Sequence, residues 1–193
     1  MRYEKGRKDV THDHILEVAS RRFRKDGIAA SGLAGIMSEA GLTNGAFYAH
    51  FSSKSELVEK CIERTNNEQW HQFEKEIAAG RLLNLVQAYL SKQHRDHADS
   101  GCPSAALLPE ISRQEPVARR VYTVGVKRLL KAVEKQLADM PKGPKAREIA
   151  IGIIGLLVGT LQMARAVDDP SLSENILAAG TKIAATLIQT GKS

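Results

Sequence analysis

Residues 31–51 read Ser-Gly-Leu-Ala-Gly-Ile-Met-Ser-Glu-Ala-Gly-Leu-Thr-Asn-Gly-Ala-Phe-Tyr-Ala-His-Phe, and the fold turns on how this stretch is read. It predicts a short helix from about Ser31, a turn at Gly41 and a second short helix from Thr43. Two helices meeting at a steep angle need a turn residue that tolerates positive φ, and Gly41 supplies it. Leu33, Ile36, Ala40, Leu42 and Phe47 can meet inside that angle. Thr43 is read as the cap of the second helix, which leaves Asn44, Gly45, Ala46, Tyr48 and Ala49 near its exposed N-terminal side. Small and hydrogen-bonding residues there suit a helix that enters a DNA major groove. The same pattern also fits an ordinary corner between packed helices.

Outward from this corner the periodicity stays helical. Upstream, Thr11 can cap a first helix with an apolar stripe of Ile15, Leu16, Ala19 and Phe23, ended by Gly27. Residues 1–9 read as a flexible basic arm holding Arg2, Lys5, Arg7 and Lys8. Downstream, Ser53-Lys-Ser-Glu56 is a capping box that opens a long helix to about Ala79. Gly80 breaks it, and a fifth helix is expected over 82–98. A loop at Asp99-Ser-Gly-Cys-Pro103 leads to a sixth helix ending near Arg113, and Pro116 starts a seventh. Pro141, Gly143 and Pro144 mark another loop. Two last helices, about 145–167 and 171–190, are separated by Asp168-Asp-Pro170, with Ser171-Leu-Ser-Glu174 as a second capping box. The fold class is all-α with about nine helices.

Composition limits the alternatives. The chain has 193 residues, 42% hydrophobic and 26% charged, ordinary for a globular protein with an aliphatic core. The net charge of +6 favours a polyanionic partner. Residues 1–60 hold 10 basic and 8 acidic side chains, so charge alone does not point to the corner. Cys61 and Cys102 form neither a disulfide framework nor a spaced metal site and suit a reducing cytosol. No apolar leader follows Met1. Ile149–Ala164 is shorter than the roughly 20 residues of a membrane span. With Gly152, Gly155, Gly159 and Gln162 inside it, the stretch reads as a buried helix and not as an anchor.

A longer pattern adds to the corner. Ile15-Leu-Glu-Val-Ala19, Phe23, Asp26-Gly27, Ser31, Ile36, Ala40-Gly41-Leu42-Thr43, Gly45, Phe47-Tyr48, His50-Phe51, Lys54 and Leu57 follow one another without gaps. This stretch resembles the TetR/AcrR family of regulators over about residues 12–60. The resemblance implies an all-helical homodimer that represses genes until a small ligand enters a C-terminal domain. It divides the chain into the arm, a helix-turn-helix domain over 10–55 and a sensing and dimerisation domain over 56–193. It implies a double-stranded DNA operator as partner and a cytoplasmic, nucleoid-associated protein. Ser31, Thr43, Tyr48, His50 and Lys54 would contact phosphates, and Thr43, Asn44, Gly45 and Phe47–Ala49 would face the groove. Phe47 and Phe51 suit core packing beneath the recognition helix better. Ala34 stands where the family carries a basic or polar residue and Met37 where it carries a small one, so one contact is given up. Gly32 and Gly35 each weaken the first helix of the pair by about 1 kcal/mol relative to Ala.

The C-terminal half carries less information. The last helix repeats Ile176, Leu177, Gly180, Ile183, Ala184, Leu187 and Ile188 on one stripe, and the helix before it is apolar nearly all round. Together they are the expected homodimer interface, which in turn implies a palindromic operator. Gly101-Cys-Pro103 resembles a family subgroup in which the sixth helix starts in this way. Cys102 then sits at a helix N-terminus, where the dipole favours thiolate, as an electrophile or oxidant sensor would need; a buried structural cysteine is the reading that fits better. Expected pocket linings are Trp70, Phe73, Tyr89, His94, Leu107, Tyr122, Gln162 and Met163. His94 and His97 lie one turn apart, but with no convincing third ligand besides Cys102 no metal or other cofactor is expected. Cys102 with a histidine base lacks an orienting residue and an oxyanion site, so no enzyme is expected. A helical thiol-based sensor, or an interaction protein without sequence-specific DNA binding, is the competing function.

Overall fold

A computed structural model describes residues 2–137 and 144–190. These form ten α-helices: α1 (Arg2–Asp26), α2 (Leu33–Glu39), α3 (Asn44–Phe47), α4 (Lys54–Ala78), α5 (Leu82–Tyr89), α6 (Lys92–Asp96), α7 (Pro103–Ile111), α8 (Pro116–Gln136), α9 (Pro144–Ala166) and α10 (Pro170–Thr190). One 3₁₀ turn, Ala98–Ser100, precedes α7. The tenth helix arises where one fifth helix was expected. Ser91 interrupts it, and its hydroxyl accepts the His94 amide at 3.1 Å to start α6. The loop expected around Pro141 and Gly143 lies outside the described residues.

At the N-terminus the helix begins at Arg2, not at Thr11, so residues 2–9 extend α1 where a separate arm was expected. The side chains of Arg2, Lys5 and Arg7 lie outside the described set. α1 ends at Gly27 with φ +89°. The Ser53 cap holds: its hydroxyl accepts the Glu56 amide at 3.1 Å. The Glu56 carboxylate reaches Ser52, accepting its amide at 2.7 Å and its hydroxyl at 2.6 Å, which keeps that carboxyl below its usual pKa. α10 is capped differently from expectation. Asp169 Oδ1 accepts the Ser171 and Leu172 amides at 2.8 and 3.0 Å, so Asp169 with Pro170 behind it replaces Ser171.

The N-terminal core packs Ile15, Ala19, Phe23, Ile36, Phe47, Phe51 and Leu57 together with Leu107, Ile111 and Ala118. α7 and the start of α8 are therefore plugged into the core of the helix-turn-helix unit. α4 is a spine about 37 Å long, with α8 alongside it. α9 packs against α6, α7, α8 and α10. By length and composition α9 is apolar enough to cross a membrane over Lys145–Ala166, longer than expected. It is also not buried all round: its most apolar window is 33% buried, with Ile151 and Met163 exposed.

Candidate nucleic-acid interface and sensor cavity

The corner is closed by backbone chemistry at Gly41. With φ +69° there, the Leu42 amide reaches Met37 O at 2.9 Å and the Gly41 amide reaches Ser38 O at 3.0 Å. Two end carbonyls of α2 are thereby satisfied and the chain turns sharply into α3. Gly32 is the N-cap residue of α2 and so does not weaken its interior. Gly35 makes room: a β-carbon there would meet Arg22 Nη1 at 2.8 Å. Arg22 pairs with Asp26 and Glu39, and Arg21 with Glu39, which ties α2 to α1.

Beneath α3, Phe47 is 1% exposed and stacks with Phe51 at 5.5 Å; His12 also stacks with Phe51, at 4.7 Å. Phe47, expected among the groove-facing residues, is thus a core residue that holds the helix up. Tyr48 stands edge-on to it, 69% exposed. Asn44, Gly45 and Ala49 are exposed alongside it. Thr43 occupies the N-cap position and is exposed, but its side chain makes no capping hydrogen bond. Its hydroxyl stays available to a ligand, contrary to its expected capping role.

Three expected phosphate contacts are placed differently. Ser31 is fully buried and its hydroxyl donates to Gly27 O at 2.7 Å, so it braces the turn after α1 from within. Lys54 Nζ donates to Ile28 O at 2.7 Å and is half-buried at the start of α4. His50 is half-buried beside His12, with ring centroids 6.3 Å apart. Burial, then the neighbouring His12, lowers its pKa. Ala34 is exposed and offers no polar group.

The sensor half contains real cavities. One of about 230 Å³ lies between α4 and α8, with Trp70, Phe73 and Tyr122 on its wall; the Arg128 guanidinium covers Trp70 at 4.1 Å. A second of about 190 Å³ is lined by Arg24, Gln69, Tyr89, His94 and Cys102. A third of about 50 Å³ continues into apolar interior past Tyr89 and Cys102. Cys102 is buried at the N-cap of α7. Its amide donates to His94 Nε2 at 2.9 Å, while His94 Nδ1 lies 2.7 Å from Tyr89 O. Nδ1 therefore carries the proton, and Nε2 is occupied by the amide. His94 can act neither as a base toward the Cys102 thiol nor as a metal ligand in this arrangement. His97 is exposed and lines none of these three cavities. Leu107, an expected lining residue, packs into the N-terminal core. Gln162 and Met163 also lie away from these cavities, Met163 being 61% exposed on the outer side of α9.

Two residues missed at the sequence level join the halves. Arg24 Nε donates to Asp99 O at 2.5 Å, and the Glu110 carboxylate accepts the Ala29 amide at 2.8 Å. Their partners lie 75 and 81 residues away, beyond the reach of any local pattern.

Residues 15–61 match the model of the bacterial regulatory proteins of the tetR family, and residues 78–179 match the tetracyclin repressor-like C-terminal domain. The chain is 38% identical over 71 residues to the HTH-type transcriptional regulator TtgR of Pseudomonas putida, covering 37% of this chain. The matched stretch spans 34% of TtgR, about a third of that regulator's length. The reduced form of E. coli NemR superposes with a TM-score of 0.76 at 20% identity, covering 91% of this chain and 95% of that one. A TetR-family regulator from Agrobacterium tumefaciens superposes with a TM-score of 0.72 at 22% identity, covering 91% and 98%. These two structures share the fold.

Proposed function

Because this chain belongs to the TetR family of bacterial regulatory proteins, we propose that it is a repressor that binds a palindromic operator as a homodimer and leaves it when a small molecule enters the sensor half. One observation carries this reading. The exposed side of α3 presents Thr43, Asn44, Gly45 and Tyr48 on a support of fully buried aromatic rings. Such a short, rigid helix start can enter the major groove, with Asn44 toward base edges and Thr43 and Tyr48 toward phosphates. His50 and Lys54 flank it; Lys54 reaches a phosphate by exchanging its bond to Ile28 O.

The dimer is assigned to α9 and α10. A β-carbon added at Gly152, Gly155 or Gly159 would meet nothing within 4 Å inside the chain, and Ile151 and Met163 on α9 and Leu172 and Ile183 on α10 stand exposed. An apolar face with open glycines suits a second copy of the same helix pair. Its place of action is the cytoplasm, at the nucleoid.

The test is binding to the DNA upstream of the protein's own gene across a salt series. Sequence-selective binding that weakens steeply with salt is expected. Tyr48→Ala should weaken it about tenfold or more while leaving the melting temperature nearly unchanged. Indifference to every fragment, that upstream region included, overturns the reading. A covalent signal is favoured by one further observation, the Cys102 thiol on the walls of two cavities. An electrophile would alkylate it there, and an adduct confined to Cys102 that leaves operator binding intact would rule this version out.

A further inference from the structure

The two cavities that share Phe73, Leu85, Tyr89 and Cys102 differ in chemistry along their length. Arg24 on α1 lines the larger, and Ile77, Val86 and Leu157 line the smaller. Where they meet, Tyr89 is 7% exposed, and its hydroxyl has the Cys102 thiol as neighbour but no oxygen or nitrogen partner among the described residues. A thiol is a weak partner, so this buried hydroxyl keeps capacity for a stronger one.

Charge on the wall points the same way. Arg24 makes no ion pair among the described residues; its Nε is spent on Asp99 O. Burial lowers its pKa against the opposing charge of Glu68. Glu68 is the carboxylate on this wall, and Arg64 Nε already holds it at 2.7 Å. His94 adds no charge, since its Nε2 accepts the Cys102 amide. The wall thus offers a half-buried cation without an ion pair and a buried hydroxyl with only a thiol beside it, next to an apolar slot.

We propose that the ligand of this site is an organic acid with an apolar tail, its head group held by Arg24 and the Tyr89 hydroxyl and its tail passing Cys102 into the slot beside Val86 and Leu157. The assignment rests on the reading of the chain as a ligand-responsive regulator. It also places the head group on α1, the helix whose Ile15, Ala19 and Phe23 build the core under the helix-turn-helix. Occupancy would therefore pull directly on the DNA-binding unit.

Three probes with one tail and different heads test it on the full-length chain: octanoate, 1-octanol and octylamine. Binding is read by titration calorimetry and by fluorescence of Trp70, the chain's single tryptophan, whose cavity shares Gln69 and Phe73 with this site. Octanoate should bind saturably and about tenfold or more tighter than either competitor. Arg24→Gln should erase that preference, and Tyr89→Phe should weaken octanoate about threefold or more while leaving octanol unchanged. Equal or tighter octanol binding, or no saturable octanoate binding by roughly 1 mM, overturns the assignment. If Arg24→Gln does not fold, the near-isosteric Tyr89→Phe decides: an unchanged octanoate affinity overturns it. Operator binding by the ligand-free protein is measured in parallel. Intact DNA binding without octanoate selectivity removes this ligand alone, whereas absent DNA binding removes the regulator reading.

Discussion

The core under the recognition helix and the interior around Tyr89 are built on opposite plans. A gap bordered by Phe23, Cys61 and Leu107 in the first has a volume of about 10 Å³, barely the room one water needs. Beside Tyr89 the cavities reach about 190 and 50 Å³. A surface that reads a duplex must hold its shape before contact, so its support is filled. An interior proposed to answer a small molecule is left incomplete. The largest test of this contrast pairs two phenylalanines. Phe47→Ala should cost about 3–5 kcal/mol, since it empties a filled core, and abolish DNA binding. Phe73→Ala, on the walls of all three cavities, should cost less than half of that. Urea midpoints measure both, and equal losses would break the comparison.

Backbone geometry sharpens it next. Gly41 sits at φ +69°, a conformation that costs a residue with a β-carbon about 1–2 kcal/mol. Gly41→Ala should lose that stability and, by tilting α3, weaken operator binding further than the stability loss explains. Denaturation and DNA titration of the same sample separate the two effects.

The difference between the regions also explains what could be read in the sequence. The corner depends on neighbours: Gly41, the Phe47 and Phe51 pair and the Ser53 cap all lie within 13 residues of one another. Each leaves a local signature, so helix order and the turn were legible. Errors there concerned single atoms. Thr43 looked like a cap, and Ser31 looked like a surface contact, because sequence does not show which way a hydroxyl points. In the sensor half, Arg24 meets Asp99 and Arg165 meets His94 across 75 and 71 residues. Tyr89, Cys102 and His94 were legible as candidates, but their arrangement was not. The His94 tautomer is set by the Tyr89 carbonyl and the Cys102 amide, both of which are backbone groups that no side-chain pattern encodes.

That tautomer gives a smaller, pH-dependent effect. Burial lowers the His94 pKa and Arg165 adds to the lowering, against the opposing bond to Tyr89 O. Protonation would place a hydrogen on Nε2 facing the Cys102 amide hydrogen. The folded state therefore favours the neutral ring. Its contribution is complete above the ordinary histidine value of 6.5 and is lost as pH falls below it toward the lowered folded value. Between pH 7.5 and 5.5 the melting temperature should fall about 1–2 °C more in the parent than in His94→Gln. Identical pH profiles would mean that the ring is not held between those two backbone groups.

The smallest effect sets two glycines of one helix pair against each other. A β-carbon at Gly180 would meet Thr160 Cγ2 at 2.5 Å, so this glycine lets α10 lie close on α9 within a single chain. At Gly155 the same carbon meets nothing within 4 Å. Alanine is the better helix former by about 0.5–1 kcal/mol. Gly155→Ala should therefore stabilise the isolated chain by that amount, whereas Gly180→Ala destabilises it. If the open face of α9 is the seam between two copies, Gly155→Ala also holds them apart, and sedimentation should show a weaker dimer despite the firmer chain. Opposite signs for folding and for association are hard to obtain from any other placement of Gly155. A dimer as tight as the parent's would move the seam off this face, and the open glycines would then belong to solvent.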